Sequence, residues 1–461
     1  MRGGTVATRR LGLNELSDLQ FADEGHFAEF KSKEVAPSKA SIALSAFANA
    51  AGGELYLGLA DQKPREWVGF ANPEEANNFL QVFNDEFPLG EDVEYNFLSA
   101  EGKQGLVLQV QVQKTKGITY ASNRIAYIRI GAQSLPVVDD DLERLKYSKG
   151  VLSFENHLVR DASSNEIVNS TITQEFLERV VPRAEPAPWL EKQRLVREGH
   201  PSVAGLLLFS EEPQIYLPKR SAVKIYRYKT DQAEGTREAL AFDPIAIEGC
   251  TYRQIASSVD KTVAIVQDIK VLGPSGLERA KYPRDALHEI ITNAVLHRDY
   301  SVADDIDVRI FDNRVEVESP GRLPGHITPA NILSQQYARN PTLVRLVNKF
   351  PNAPNKDVGE GLNTAFEAMR KLSLKAPEIT EGEHSVMVVV RHEPLASAEE
   401  IIMEFLETHG SIKNHEARKL CGLTSESATQ KLFKRMIARN MIEHVPGTRR
   451  RGYSYRRANA P

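Results

Sequence analysis

The chain has 461 residues, of which 41% are hydrophobic and 26% charged, an ordinary composition for soluble protein, and its length as a prior gives about three domains. Its two cysteines, Cys250 and Cys421, exclude a disulfide framework and a cysteine-rich zinc site, so a metal would be held by oxygen ligands or histidine. A net charge of -4 excludes a uniformly basic nucleic-acid binder and leaves local basic patches as the places to look.

No run approaches the roughly 20 apolar residues that span a bilayer, and "MRGGTVATRRLGLNEL" has no apolar signal core. The expectation is a cytoplasmic protein with no membrane partner. In residues 1–150, Ser38 is placed to cap a helix carrying Ile42, Leu44, Phe47 and Ala48, which Gly52 and Gly53 end. Glu54 to Leu59 alternates as a strand, "LVLQVQVQ" (106–113) as a half-buried strand, and "RIAYIRIG" (124–131) as another. This is an α+β domain.

Residues 151–199 read as a linker with connecting helices, with a proline-containing junction near residue 185. In 200–397, "SVAGLLLF" is a buried segment and "PRDALHEIITNAVLHRDY" starts with proline and continues as a helix. "IDVRIF" and "RVEVE" flank Asp312 and Asn313, residue types that favour a two-residue hairpin turn, and "SVMVVVR" closes the region as a strand. Residues 398–461 give three helices and then a basic hairpin, with Thr424 or Ser425 capping the third helix. That order suggests a winged helix-turn-helix. Lys431, Lys434 and Arg435 on its third helix, and Arg449, Arg450 and Arg451 in the hairpin, would meet nucleic-acid backbone; a solvated tail and a protein contact are the alternatives.

Two sets of residues carry candidate chemistry. Glu24, Glu29 and Asp61 are three carboxylates that could meet around Mg or Mn, which would activate water for phosphodiester cleavage while Lys31 steadies the phosphate. With 62 acidic residues in the chain, chance supplies such a trio easily. Lys33, Asn49 and Arg129 are further nucleic-acid-facing candidates; Asn49 equally suits a helix end, and Arg129 equally suits solvent. On the later helix, Glu289 and Asn293 share a face, with His297 a turn further. The Asn oxygen can ligate Mg between phosphates while the Glu orients water, although an exposed helix face has the same spacing. Gly359 and Gly361 precede an apolar helical stretch whose backbone N–H groups can meet phosphate. No G-x-x-x-x-G-K-[ST] loop is present.

Glu24, "EFK", "AFANAAGGELYLGLAD" and "YIRIGAQS" together resemble the Schlafen AlbA-type domain over residues 20–140. The resemblance implies nucleic-acid binding, and Glu24, Glu29 and Asp61 take the positions of the animal Schlafens' RNA-cleaving carboxylates. Gly25 stands where Ser is usual. Glu289 and Asn293, with "ESPGRLPG", "ARNP" and "VGEGL", resemble the GHKL ATPases (the histidine-kinase, gyrase and MutL type) over residues 200–392. This implies an α/β sandwich with ATP and Mg at Glu289, Asn293, Ser319, Gly321, Gly359 and Gly361; Ser319 replaces the superfamily's adenine-reading aspartate. The domain order is similar to that of bacterial ATP-binding or transcriptional regulators. Two functions follow: a nucleotide-gated, metal-dependent endonuclease on structured RNA, as in stress or phage (antiviral) defence, or an ATP-binding, DNA-binding transcriptional regulator. A homo-oligomer whose domains serve mainly as interfaces is a third.

Overall fold

The computed structural model describes residues 7–88, 92–217, 221–273, 276–280, 282–354, 361–392, 398–421, 425–445 and 453–458. The chain is a mixed α/β protein with two compact units, Met1–Ala368 with Pro377–Val390, and Met369–Ala376 with Arg391–Pro461.

The first unit begins β1 (Ala7–Leu11), α1 (Leu13–Phe21), β2 (Ala28–Lys31), α2 (Pro37–Asn49), β3 (Gly53–Leu57), α3 (Asn77–Glu86), β4 (Val93–Ala100) and β5 (Val107–Val112). These strands form one sheet in the order β1-β4-β5-β3-β2. Helix α2 starts two residues earlier than a Ser38 cap implies: Ala36 is the N-cap, Pro37 is the first helical residue, and no side chain caps the end. Proline's fixed φ and missing N–H make that position favourable without a cap. Gly52 then turns at φ +84°, its N–H bonded to Phe47 O. Strand β5, expected to be half-buried, is covered on both faces. Leu108, Val110 and Val112 join the core with Phe47, Phe83 and Phe97, while Val107 packs with Leu11, Leu16 and Trp67 opposite. The hairpin β6 (Ala126–Ile130) and β7 (Gln133–Val137) follows, then α4 (Asp139–Ser148).

Connecting elements come next: α5 (Asn165–Val168), α6 (Thr171–Val180), α7 (Pro186–Lys192), β8 (Val196–Arg197), β9 (His200–Pro201) and α8 (Val203–Phe209). Every residue of α8 is buried, which explains its unbroken apolar run. The remainder comprises β10 (Val223–Arg227), β11 (Ile245–Ile247), α9 (Thr251–Gln267), β12 (Lys270–Gly273), β13 (Gly276–Arg279), α10 (Arg284–Leu296), β14 (Ile306–Ile310), β15 (Arg314–Pro320), α11 (Pro341–Val347), α12 (Gly361–Lys371), β16 (Glu378–Glu381) and β17 (Ser385–Arg391). The sheet order is β11-β10-β14-β15-β17-β16. Asp312 and Asn313 form the turn between β14 and β15, where Ile310 faces Val315 and Phe311 N–H bonds Arg314 O at 2.8 Å.

The second unit contains α13 (Ala398–Thr408), β18 (Ile412–Lys413), α14 (Asn414–Leu420), α15 (Glu426–Ala438), β19 (Ile442–His444) and β20 (Ser454–Arg457). Its sheet runs β18-β20-β19 around a core of Ile402, Leu432, Phe433, Met436 and Tyr455. Ser425 caps α15, its Oγ accepting from Ala428 N–H at 3.1 Å. Among the described residues no helix is long and apolar enough to cross a membrane.

Candidate functional site

Strand β2 and the turn before it bring Glu24, Glu29 and Lys31 together. Lys31 Nζ lies 3.1 Å from Glu29 Oε1 and 3.5 Å from Glu24 Oε1, and Glu24 Oε1 also accepts from Phe30 N–H at 3.1 Å. Burial works against the Lys31 ammonium, but Glu29, Glu24 and Asp61 outweigh it and hold its pKa above the usual lysine range. Asp61 itself is exposed, and its backbone carbonyl accepts from Arg65 Nη1 at 2.6 Å.

Arg129 and Asn49 turn inward rather than toward a nucleic acid. Arg129, from β6, is 2% exposed and pairs with Glu29. It also donates to Gly25 O at 2.9 and 3.0 Å, Ala28 O at 3.3 Å and Ser134 Oγ at 3.0 Å. Its guanidinium therefore clamps the turn carrying Glu24. Asn49, also buried, donates to Thr119 O and Tyr127 O at 2.7 and 2.9 Å and accepts from Thr119 N–H at 2.9 Å, stitching α2 to the segment leading into β6. Lys33, half-buried, pairs with Glu75 at 3.0 Å.

The carboxylate set does not fit a divalent cation as arranged. The Lys31 ammonium lies between Glu24 and Glu29, and Arg129 takes the other Glu29 oxygen. Among the described residues no three His, Cys, Asp or Glu side chains gather in a metal-holding group.

A cavity of ≈ 380 Å³ lies against α10 and the sheet, lined by Asn293, His297, Ser319, Gly321 and Gly361 with apolar walls from Ile290, Val317, Val386 and Val388. That volume is in the range of small-ligand sites. Asn293 Nδ2 donates to Glu289 Oε1 at 2.7 Å and to Glu289 O at 3.0 Å. Burial raises the Glu289 pKa against that hydrogen bond. Burial and the Arg339 charge push His297 down to about 4, so its ring is neutral. Ser319 Oγ donates to Ala294 O at 2.9 Å. Gly321 has φ +98°, and a Cβ there would come within 2.4 Å of Asp299 Cβ. Gly359 lies outside the described residues, as do Arg449, Arg450, Arg451 and Thr424. In the second unit Lys431 and Lys434 are exposed, while Arg435 pairs with Glu399 at 2.7 Å.

A third group was not singled out by the sequence. Lys114, just after β5, is 4% exposed; its Nζ donates to Leu323 O at 2.8 Å and Ile327 O at 3.0 Å, and pairs with Glu381 at 3.2 Å. Leu323 and Ile327 line the cavity. Glu381 also accepts from Arg322 Nε at 3.2 Å and Leu323 N–H at 2.9 Å. Burial pushes Lys114 down to about 8 against the pull of Glu381. Beside it, burial and the charges of Lys114 and Arg322 push Lys149 down to about 7; its Nζ donates to Ala48 O at 2.9 Å and Thr115 Oγ1 at 3.0 Å. From the cavity wall, Lys114 leads through its chain neighbour Thr115, whose Oγ1 lies 3.2 Å from Thr119 Oγ1, to Asn49, which accepts from Thr119 N–H and donates to Tyr127 O on β6, the strand bearing Arg129.

Residues 24–138 match the family described as "Schlafen, AlbA_2", and residues 303–390 match the family described as "Putative ATP-dependent DNA helicase recG C-terminal". The chain therefore carries a Schlafen AlbA-type domain and an ATPase-like domain, a pairing that indicates a nucleic-acid-related, ATP-using protein. Glu289 and Asn293 precede the second match. No curated protein matches the chain. Among solved structures, the DIP2311 protein from Corynebacterium diphtheriae is 18% identical, with 96% of this chain and 97% of that one covered and a TM-score of 0.41.

Proposed function

We propose that the protein binds nucleic acid through its Schlafen-type domain under the control of a nucleotide held in the cavity of its ATPase-like domain. The observation that carries this reading is Lys114: a buried Schlafen-domain side chain holding the carbonyls of Leu323 and Ile327 in the cavity wall. A ligand that displaces this wall must strain or release those bonds, so its binding free energy is coupled to the Schlafen domain.

Asn293 Oδ1 would hold Mg, which would offset phosphate charge, and the N-terminal turn of α12, beginning at Gly361, would offer N–H groups to phosphate oxygens. Ser319, Ile290 and the strand residues would enclose the base. The helix and strand order of the second unit suits a winged helix, with exposed Lys431 and Lys434 on α15 available to nucleic-acid backbone.

Purified protein titrated with ATP and Mg should bind saturably, and its affinity for transfer RNA or duplex DNA should change roughly 5- to 150-fold on adding ATP. Absence of saturable binding at millimolar nucleotide overturns the reading.

Cleavage is the second reading: Glu24 and Glu29 lie on either side of Lys31 within 3.5 Å, and a cation would bind there only if Lys31 moved from the carboxylates to a substrate phosphate. Incubating the same RNA and DNA with Mg or Mn tests it. Cleavage lost in Glu29→Ala and Asp61→Ala supports it, and an intact substrate under every condition removes it.

A further inference from the structure

The turn between Glu24 and Glu29 combines a heavily fixed backbone with an uncovered aromatic side chain. Gly25 N–H bonds Ala28 O at 3.0 Å, closing the turn with His26 and Phe27 at its corner. Arg129 holds Gly25 O and Ala28 O from beneath, and Glu54 N–H bonds Phe27 O at 2.8 Å. The carbonyls of residues 25, 27 and 28 are thus all bonded, yet the Phe27 side chain is 61% exposed. His26 meets the Phe27 ring edge to face, with centroids 4.9 Å apart at 85°, so it fixes the ring without covering it. A lone exposed apolar residue needs no explanation. A phenylalanine held out on a clamped turn, within the four residues that separate the two glutamates, does.

We propose that Phe27, steadied by His26, is a stacking platform for an unpaired base, and that the Schlafen-type domain therefore engages single-stranded or looped-out nucleic acid rather than continuous duplex. This rests on the nucleic-acid-binding reading above. An aromatic face accepts any base, because every base has a π-face, but a base inside a duplex has both of its faces occupied by its neighbours. Lys31, 28% exposed beside the turn, provides the positive charge for the adjoining phosphate. The rigid turn lowers the ordering cost of stacking, since the ring is positioned before the base arrives.

The test is fluorescence anisotropy on the full chain with labelled oligothymidylate and oligouridylate of about 12 nucleotides, within the usual site size for single-strand binders, and with a blunt duplex of the same length. Phe27→Ala and Phe27→Leu should bind both single strands roughly 5- to 150-fold more weakly than the parent, the effect of losing one stacked base. Their duplex affinity should be unchanged. Phe27→Trp should keep the affinity, and its emission should change on binding by more than that of the parent, whose tryptophans, Trp67 and Trp189, are both buried. If the parent binds single strands and both truncations bind equally well, or if they weaken duplex and single strand alike, the platform is wrong while nucleic-acid binding stands. If the parent binds neither polymer, the parent reading fails and this inference with it.

Discussion

Lys114 Nζ lies 3.2 Å from Glu381 Oε1 across 267 residues of sequence, and both side chains are almost fully buried. Such a pair seldom adds stability relative to an apolar replacement, but removing one partner strands the other charge. Arg322 and Leu323 N–H remain on Glu381, which softens the loss. Lys114→Met should therefore destabilise the first unit by about 3 kcal/mol in denaturant unfolding. ATP should still bind, but its effect on nucleic-acid affinity should vanish. Retention of that effect would show that coupling runs elsewhere.

Lys149 sets a pH dependence of the opposite sense to that of an ion-paired lysine. Its pKa is pushed down to about 7 by burial, from an ordinary value of 10.5. Between those values the unfolded chain carries a proton that the folded chain lacks, so unfolding takes up a proton and stability rises with pH. The contribution is lowest and flat below about pH 7 and complete above the unfolded value. From pH 7 to 9 it should add about 2 kcal/mol. Lys114 acts in the same direction from about 8 upward. Urea unfolding of the parent and Lys149→Met across this range measures it: the variant should lose the larger part of the slope.

Arg129 is a clamp, so its variants should act on folding before function. Arg129→Ala leaves Glu29, whose side chain is 12% exposed, without its guanidinium partner, and frees Gly25 O and Ala28 O. A loss of about 3–5 kcal/mol is expected. Arg129→Lys keeps the charge but not the fork that reaches both carbonyls, and should recover only part of the loss. Chemical denaturation of both variants decides this; an alanine variant as stable as the parent would contradict the clamp.

The hairpin at Asp312 and Asn313 and the helix of Glu289 and Asn293 were legible because both are local: turn chemistry and helical spacing act over a few residues. The clustering of Glu24, Glu29 and Lys31 was legible for the same reason, through one strand and the turn before it. Three features were not. Arg129 reads from the sequence as facing nucleic acid or solvent, because an alternating strand does not reveal which face a later layer covers. Strand β5 appeared half-exposed because its glutamines, including the buried Gln109, imitate a solvent face while Gln109 donates to Tyr56 Oη at 3.2 Å. Lys114 gave no signal, since its partners lie more than 200 residues away and sequence spacing carries no information about them.

Gly321 is a position where a single methyl group should be costly. With φ at +98° and Asp299 Cβ at 2.4 Å from an added Cβ, Gly321→Ala must shift either the backbone or Asp299. Asp299 Oδ2 bonds Arg339 Nη1 at 2.9 Å, and Arg339 also bonds Tyr147 O at 2.8 Å and Arg322 O. The displacement would therefore spread to the cavity wall. A loss of roughly 2–3 kcal/mol is expected in thermal or urea unfolding, together with weaker ATP binding by calorimetry.

Asn293 separates nucleotide binding from folding more cleanly. Its side chain is half-buried, and its amide bonds run within one turn of α10 to Glu289, so Asn293→Ala should change the melting temperature little. The variant removes the Oδ1 oxygen available to Mg and the hydrogen bond that opposes burial at Glu289, whose pKa should rise further. ATP affinity with Mg should fall roughly 10- to 100-fold, whereas binding measured with EDTA should fall much less. Titrations with and without Mg measure this difference directly. Equal losses under both conditions would show that Asn293 touches the nucleotide itself, and no loss would remove it from the site.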